Sequence, residues 1–228
     1  DSSMYQGQSK TVTPGKAGQD VEGIPVYNAV DDAVEATGAN TAMVFVPPRF
    51  AADAILEALA SPVETVVAIT EGIPAHDMLR VYTHMKSTGK TLIGPNCPGV
   101  ISPGVATVGI MPTQVFQPGR VGLVSRSGTL TYQISKELAL LGIGQSTVVG
   151  IGGDPVVGSS FIDILGRFDK DPDTDLIVMV GEIGGSEDIL VEGTVEGLIK
   201  VERDVRVGPT GVVKATIEAQ SIVVSGEV

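Results

Sequence analysis

Residues 121–131 read Val-Gly-Leu-Val-Ser-Arg-Ser-Gly-Thr-Leu-Thr and predict an apolar strand, a turn rich in hydroxyls and glycine, and a helix start. Apolar residues then recur at helical spacing over 130–141. A helix N-terminus offers unpaired backbone N–H groups and the positive end of the helix dipole, so Ser127, Gly128 and Thr129 would let a phosphate or carboxylate approach closely. The alternative is an ordinary helix capped by Ser127. Both interpretations place a strand-to-helix turn here, which is typical of α/β proteins.

The same alternation of strands and helices runs from about residue 20 to 180 and predicts a parallel α/β fold. The predicted strands lie at 42–46, 66–69, 92–94, 121–124, 147–150 and 176–180, and the predicted helices at 31–36, 51–59, 75–86, 129–141 and 159–168. In an open parallel sheet, the loops after the strands gather at the carboxyl edge, where ligands bind. The Pro- and Gly-rich segment 102–119 indicates a boundary between two such units.

The composition limits the classes of partner. The chain has 228 residues, enough for two small domains with a substantial core. Lys and Arg total 15 against 27 Asp and Glu, and the net charge of -12 argues against nucleic acid or an anionic membrane as a partner. One cysteine excludes an internal disulfide framework and fits a reducing compartment. We expect no secretion or membrane insertion, since the sequence shows neither a leader nor an 18-residue apolar run.

Three further loops carry candidate ligand-binding groups. The loop at 13–18 sets Lys16 among small residues, where the backbone could approach a phosphate and the ammonium supply charge, although Pro-Gly-Lys is commonly just a turn. The loops at 46–48 and 69–74 directly follow strands and could hold a flat ring such as adenine against apolar side chains, or could be plain strand-end turns.

The loop at 94–99 sets Asn96 and Cys97 between two prolines, which favours a rigid binding loop. Cys97 has no neighbouring base or cation in sequence to lower its pKa, so a packed, inert thiol is favoured over a nucleophile. No Cys and His spacing matches a metal site, and we assign no metal to this chain. Glu182 follows an apolar strand, where it would orient a catalytic base or serve only as a solvated or helix-capping residue.

Seven short motifs follow one another along the chain. They are Thr13-Pro-Gly-Lys16, Val46-Pro-Pro-Arg-Phe50, Ile69-Thr-Glu-Gly-Ile-Pro74, Gly94-Pro-Asn-Cys-Pro-Gly99, Ser125-Arg-Ser-Gly-Thr-Leu-Thr-Tyr132, Gly150-Ile-Gly-Gly-Asp-Pro155 and Gly181-Glu-Ile-Gly-Gly185. In this order they closely resemble motifs of the α subunit of succinate–CoA ligase, also called succinyl-CoA synthetase, and the resemblance covers about residues 11–188.

The resemblance implies a Rossmann-like CoA-binding domain over residues 1–117, a partial flavodoxin-like ligase domain over 118–188 and a β-rich extension over 189–228. It implies CoA contacts for Lys16, Ile69, Thr70 and Glu71, and we assign the strand-end residues Val46, Pro47, Asn96 and Cys97 to the same cofactor. Tyr132 matches a residue at the succinate site, Ser127, Gly128 and Thr129 match a helix start that holds the phosphoryl group, and Glu182 matches the carboxylate that steadies the catalytic histidine.

The reaction of this family links succinyl-CoA cleavage to phosphorylation of ADP or GDP through succinyl phosphate and a phosphohistidine. Its nucleotide, with magnesium, binds a separate ATP-grasp β subunit. The resemblance therefore implies a ligase α subunit with CoA as cofactor, a β-subunit partner, and a location in the cytoplasm or the mitochondrial matrix.

Two parts of the sequence depart from the family pattern. The family opens with a strand and a Gly-x-Thr-Gly-x-x-Gly loop around the CoA phosphates, whereas residues 1–10 read Asp-Ser-Ser-Met-Tyr-Gln-Gly-Gln-Ser-Lys. After residue 188 the family continues to a Gly-His-Ala-type segment with the phosphohistidine, yet no histidine follows His84. We therefore do not expect the phosphohistidine relay to run within this chain.

Residues 191–228 are rich in valine and isoleucine and repeat with an offset of about 18 residues, as in Val195 with Val213 and Val205 with Val223. Such coils predict a β-solenoid, and the segment 217–228 is similar to the polymer-forming bactofilins; an antiparallel β extension is the alternative. Two coils need a neighbour to cover their apolar faces, which predicts packing or self-association. The second functional hypothesis is therefore an assembly protein with a non-catalytic ligase-like body.

Overall fold

The computed structural model describes residues 11–181, 189–191, 194–200, 204–209 and 212–226. The chain divides into two compact units, Asp1–Val180 and Gly181–Val228. Within the described residues, no helix is long and apolar enough to cross a membrane.

Strands and helices alternate through most of the first unit. Its strands are β1 (Thr11–Val12), β2 (Asp20–Val21), β3 (Ile24–Tyr27), β4 (Thr41–Val44), β5 (Thr65–Ala68), β6 (Thr91–Ile93), β7 (Gly99–Ser102), β8 (Ala106–Gly109), β9 (Pro118–Ser125), β10 (Gln145–Gly150) and β11 (Leu176–Val180). Its helices are α1 (Val30–Thr37), α2 (Pro48–Ala60), α3 (Ala75–Thr88), α4 (Gly128–Leu140) and α5 (Phe161–Phe168), with a 3-10 turn at Thr113–Val115.

Parallel strands make up most of the two main sheets of this unit. β4, β5 and β6 lie side by side in chain order and are parallel. β9 lies between β10 and β11, again in parallel. β7 and β8 form an antiparallel hairpin, and β7 pairs antiparallel with the other edge of β10. A small third sheet has the order β1-β3-β2.

The two main sheets bury their apolar residues in clusters that include residues of the amphipathic helices, and one of these clusters is shared by both sheets. Ile55 of α2, Met78 of α3 and Leu92 of β6 are each at most 1% exposed and belong to one cluster. Val124 of β9 and Ile164 of α5 belong to a second cluster together with Val67 of β5, and each is at most 2% exposed. Because burial of such side chains contributes about 1.5–3 kcal/mol each, these clusters fix the strands whose ends form the site.

The predicted alternation of strands and helices is confirmed, with element ends shifted by a few residues. The segment 102–119, which was interpreted as a boundary, contains β8 and the start of β9. The hairpin depends on the absence of side chains at Gly99 and Gly109, since a Cβ on Gly99 would lie 2.2 Å from the Val108 carbonyl oxygen. The boundary predicted between residues 117 and 118 stays a prediction.

The second unit consists of parallel strands at a regular offset. They are β12 (Ile189–Val191), β13 (Thr194–Lys200), β14 (Asp204–Val207), β15 (Val212–Glu218) and β16 (Ser221–Val224). β12, β14 and β16 form one parallel sheet, and β13 and β15 form another. The antiparallel alternative is therefore wrong for the described strands.

The register in this unit matches the predicted repeat closely. Val195 lies beside Val213, an offset of 18 residues as predicted. Val205 lies beside Ile222 rather than Val223, so this turn of the repeat is one residue shorter. Val205 and Val213 are buried. Strands stacked in this way are typical of a β-solenoid.

Candidate functional site

A cleft of about 500 Å³ lies in the first unit, where loops that follow strands of both main sheets meet. Six of the residues predicted from the sequence line it: Ile69, Glu71, Asn96, Cys97, Gly128 and Tyr132. The parallel order of the strands explains the convergence, since their carboxyl ends lie at one edge of each sheet.

Three loops of the cleft are held together by side-chain hydrogen bonds. Asn96 Nδ2 donates to Asp154 Oδ1 over 2.9 Å, which joins the loop after β6 to the loop after β10. The Arg126 guanidinium donates to the Gly152 and Asp154 carbonyl oxygens over 3.1 and 2.6 Å, which joins the loop after β9 to the same segment. The cleft is therefore preorganised by polar groups rather than by apolar packing alone.

The start of α4 forms one side of this cleft. Ser127 is the N-cap residue, and its Oγ accepts a hydrogen bond from the Leu130 N–H over 3.3 Å. Ser125 Oγ in turn accepts from the Ser127 N–H over 3.0 Å, which fixes the turn before the helix. Helix geometry leaves the N–H groups of the first turn without intrahelical partners. A Cβ built on Gly128 would meet no atom within 4 Å, so the backbone is open to a ligand there.

Cys97 is buried beside the cleft, with 5% of its surface exposed. Its thiol donates to the Ala68 carbonyl oxygen over 3.2 Å. Burial raises the pKa of Cys97 to about 12, and a backbone hydrogen bond from Gly99 offsets only part of this effect. The thiolate is the reactive form of cysteine, so the structure favours the packed, inert thiol over the nucleophile.

Tyr132 lines the cleft from the first turns of α4. Its ring packs edge-on against Phe116, with ring centroids 6.4 Å apart. Burial raises the pKa of Tyr132, and the Cys97 charge adds to this shift. The phenol therefore stays protonated near neutral pH and can donate a hydrogen bond.

The other predicted residues lie near the cleft in sequence but do not line it. Thr70 is buried, and its Oγ1 donates to the Val46 carbonyl oxygen over 2.7 Å, which ties the loops after β4 and β5. Pro47 precedes α2 as its N-cap residue, and Ser127 and Thr129 flank Gly128 at the start of α4.

Lys16 lies on an exposed loop after β1. The loop is held by Asn28 Oδ1, which accepts from the Gly15 and Ala17 N–H groups over 3.0 Å each. The Lys16 side chain is therefore presented on a fixed backbone. Glu182 lies outside the described residues, as does the segment 1–10 that departs from the family pattern.

Five cleft residues were absent from the predicted set. They are Phe45, Pro98, Ile110, Arg126 and Gly153. Arg126 could have been found from its place between two serines directly after a strand, as the cation nearest to the predicted anion site. Ile110 follows the hairpin β7–β8 and has no local signal. Among the described residues, no group of three His, Cys, Asp or Glu side chains could hold a metal ion.

Comparison with known proteins agrees with these motifs. Two family models match the chain, a CoA binding domain over residues 8–72 and a CoA-ligase domain over residues 124–219. The chain is 56% identical over 177 residues to the succinate–CoA ligase [ADP-forming] subunit alpha 2 of Archaeoglobus fulgidus, covering 78% of this chain and 62% of that protein. The chain therefore carries CoA-binding and CoA-ligase domains similar to those of succinate–CoA ligase α subunits.

Other proteins similar to this chain have names that refer to related acids. The malate–CoA ligase subunit alpha of Methylorubrum extorquens is 52% identical over 181 residues, covering 78% of this chain and 61% of that protein. ATP citrate lyase from Methanothrix soehngenii, solved with citrate and coenzyme A, has a TM-score of 0.65 and 27% identity, covering 71% of this chain and 28% of that one.

The comparisons support the ligase hypothesis over the assembly-protein hypothesis. The fold of the succinate–CoA ligase α subunit, with CoA-binding and CoA-ligase domains, is confirmed. The CoA-ligase match continues to residue 219, well beyond the limit near residue 188 that the motifs indicated. The chain spans about 62% of the length of the Archaeoglobus relative. The bactofilin resemblance stays a prediction.

Proposed function

We propose that this chain is the α subunit of an acid–thiol ligase that joins CoA to a small dicarboxylic acid. The proposed substrate is succinate, and malate is the alternative. The observation that carries the proposal is the cleft at the strand ends, in which residues from the CoA-binding and ligase motifs meet. The substrate class follows the names of the relatives, which are succinate–CoA and malate–CoA ligase subunits.

The residues of the cleft fit the acyl–thiol end of CoA. Phe45, Ile69 and Ile110 give it apolar walls, and Arg126 adds a positive charge that suits a carboxylate. CoA, when bound, supplies a thiol that can form or release a thioester. The chain's own groups would orient the ligand, with Tyr132 as a hydrogen-bond donor to the dicarboxylate and Cys97 packed as an unreactive neighbour of the thiol.

We propose two further contact regions for CoA outside the cleft. Lys16 would bind a phosphate of the nucleotide portion, supported by its exposure on a fixed loop. The strand-end residues Val46 and Pro47 would lie against the adenine, supported by the exposure of Pro47 soon after the end of β4. Thr70, which ties the loop after β5 to Val46, and Glu71, which lines the cleft, would connect this region to the cleft.

The phosphoryl group would bind at the start of α4, at the N–H groups of Gly128 and Thr129, beside the cap residue Ser127, whose own N–H donates to Ser125 Oγ. Glu182 would steady a catalytic histidine. The histidines of the chain are His76 and His84, both exposed on α3, so we assign the phosphohistidine to no residue here. An ATP-grasp β subunit would bind the nucleotide with its magnesium.

Two other expectations of the sequence remain predictions. Self-association through the C-terminal β segment is one of them. A location in the cytoplasm is the other, and the relatives named above, from an archaeon and a bacterium, give no support to the mitochondrial matrix.

Thermal unfolding with CoA tests the CoA site. A ligand at 100 times its Kd stabilises the native state by about 2.7 kcal/mol, which raises the Tm of a chain of this size by roughly 5–10 °C. We expect Lys16→Ala to weaken CoA binding about tenfold through loss of a charge-assisted phosphate contact. The matched control is Lys170→Ala, since Lys170 is exposed at the opposite ends of the strands, between α5 and β11. No Tm shift with CoA in the wild-type chain would contradict the proposed function.

A pair of substitutions at Ser127 tests the phosphoryl site. Ser127→Ala removes the cap and is expected to destabilise the protein by about 1 kcal/mol. Ser127→Asp keeps a capping oxygen and interacts well with the helix dipole, so stability is retained. Its negative charge repels a second anion, so we expect inorganic phosphate to stabilise the wild-type chain but not this variant in thermal unfolding. Equal phosphate stabilisation of the two would contradict an anion site at this helix start.

A further inference from the structure

Asp154 connects two residues of the cleft without lining it. Its carboxylate accepts the hydrogen bond from Asn96 Nδ2 over 2.9 Å, and its main-chain carbonyl accepts from Arg126 over 2.6 Å. Asp154 is half-buried in the loop after β10. Both of its partners line the cleft, so a change of the Asp154 carboxylate would reach the ligand through Asn96.

The carboxylate determines which way the Asn96 amide points. An asparagine amide has an oxygen that accepts and a nitrogen that donates, and the two ends are similar in shape. An ionised carboxylate has only acceptors, so the Asn96 nitrogen must face Asp154. Among the described residues, Asn96 Oδ1 accepts no hydrogen bond. The carbonyl oxygen is therefore the end left for a ligand.

The Asn96 backbone is fixed as well. Its N–H donates to the Thr70 carbonyl oxygen over 2.9 Å, and its carbonyl accepts from the Gly153 N–H over 3.2 Å. Its φ of 53° lies in the left-handed region, which asparagine tolerates better than most residues. With the backbone held on both sides, rotation of the side-chain amide is the remaining freedom, and Asp154 removes it.

We infer that Asp154 is a positioning residue that makes Asn96 a hydrogen-bond acceptor toward the ligand. The inference rests on the proposed function and deepens it, because it names the kind of ligand group that would bind Asn96 Oδ1. That group is a hydrogen-bond donor, and the pantetheine arm of CoA carries two amide N–H groups of this kind. A ligand that presents only an acceptor at this position is disfavoured.

A double-mutant cycle on the full chain, with CoA Kd from calorimetry, tests the inference. We expect Asp154→Ala to weaken CoA binding about five- to tenfold, on the scale of one hydrogen bond. Asn96→Gly removes the side chain and suits the left-handed backbone. The double variant should bind no more weakly than Asn96→Gly alone, because Asp154 acts through Asn96. Asp154→Asn should restore binding, since its amide oxygen can still accept from Asn96.

The inference would be overturned if the double variant lost CoA affinity by the product of the two single losses. It would also be overturned if Asp154→Ala bound CoA with wild-type affinity. The Tm of each variant separates positioning from a purely structural role. If the role of Asp154 were purely structural, Asp154→Ala would lower the Tm, and its loss of CoA affinity would not depend on Asn96. If the wild-type chain binds no CoA, the proposed function fails, but the orientation of Asn96 is still measurable. One Asn96 side-chain amide proton should be shifted downfield in the NMR spectrum of the free chain and lose this shift in Asp154→Ala; an unchanged signal overturns the inference.

Discussion

Gly152→Ala is expected to destabilise the first unit by about 3 kcal/mol or more and to lower its Tm by roughly 6–12 °C. Gly152 has a φ of +96°, which residues with a Cβ rarely adopt. A Cβ at this position would also lie 2.0 Å from the Pro95 carbonyl oxygen. The Cβ would be fixed to one backbone and the oxygen belongs to another, so this clash can be removed only if the loops after β6 and β10 separate. We expect CoA binding to be lost together with stability.

The neighbouring glycine gives a matched control for stability. A Cβ on Gly153 would have its nearest neighbour 3.8 Å away, and its φ lies outside the positive range. Gly153→Ala is therefore expected to leave the Tm within about 1–2 °C of the wild-type value. Thermal unfolding of the two variants side by side checks the prediction. Equal decreases in Tm for Gly152→Ala and Gly153→Ala would contradict the close approach of the two loops.

The Cys97 thiol is expected to be alkylated about 1000-fold more slowly in the native chain than in the denatured chain at pH 8. Burial raises its pKa from 9.0 to about 12, and each unit reduces the thiolate fraction about tenfold. Iodoacetamide labelling followed by mass spectrometry measures this directly, because Cys97 is the only cysteine of the sequence. The native rate should keep rising with pH above 9, where the denatured chain reaches its plateau.

The raised pKa of Cys97 also makes the free energy of unfolding depend on pH in the alkaline range. The folded state holds the Cys97 proton more tightly, so its contribution is complete below pH 9.0 and is lost as pH rises toward about 12. The slope approaches about 1.4 kcal/mol per pH unit within that window. Cys97→Ala removes the titrating group, and its stability should be flatter over this range in denaturant titrations. Equal labelling rates in native and denatured chains, or parallel pH profiles, would contradict a buried thiol.

Local sequence patterns predicted the part of the site that depends on strand ends. Ile69, Asn96 and Gly128 each follow an apolar strand, and parallel strands bring such positions together whatever the details of packing. Phe45 was missed because it was assigned to the predicted strand 42–46, whereas β4 ends at Val44. Ile110 was missed because its position after β8 depends on the hairpin, which no motif indicates. Asp154 was quoted within a motif, but its contact with Asn96 spans 58 residues and no local pattern indicates it.

The hairpin β7–β8 was missed for a different reason. Its turn contains Pro103 and Gly104, which by composition indicate a boundary as readily as a tight turn. The decisive feature is a close backbone approach between Gly99 and Gly109, which depends on two glycines ten residues apart. The repeat in the second unit was easier to predict, because stacked parallel coils place residues at a nearly constant offset side by side.

The pairing of β7 with β10 also constrains the order of folding. Ile101 cannot find its partner Val148 until α4 and the preceding strand β9 have been synthesised. A fragment that begins at residue 118 would keep β9 and β10 but would leave one edge of β10 unpaired and open to other chains. The loop that carries Asn96 leads directly into β7, so its final conformation depends on a contact formed late in folding. During synthesis, the ligand site is therefore completed only after the ligase sheet has closed around a strand contributed by the preceding segment.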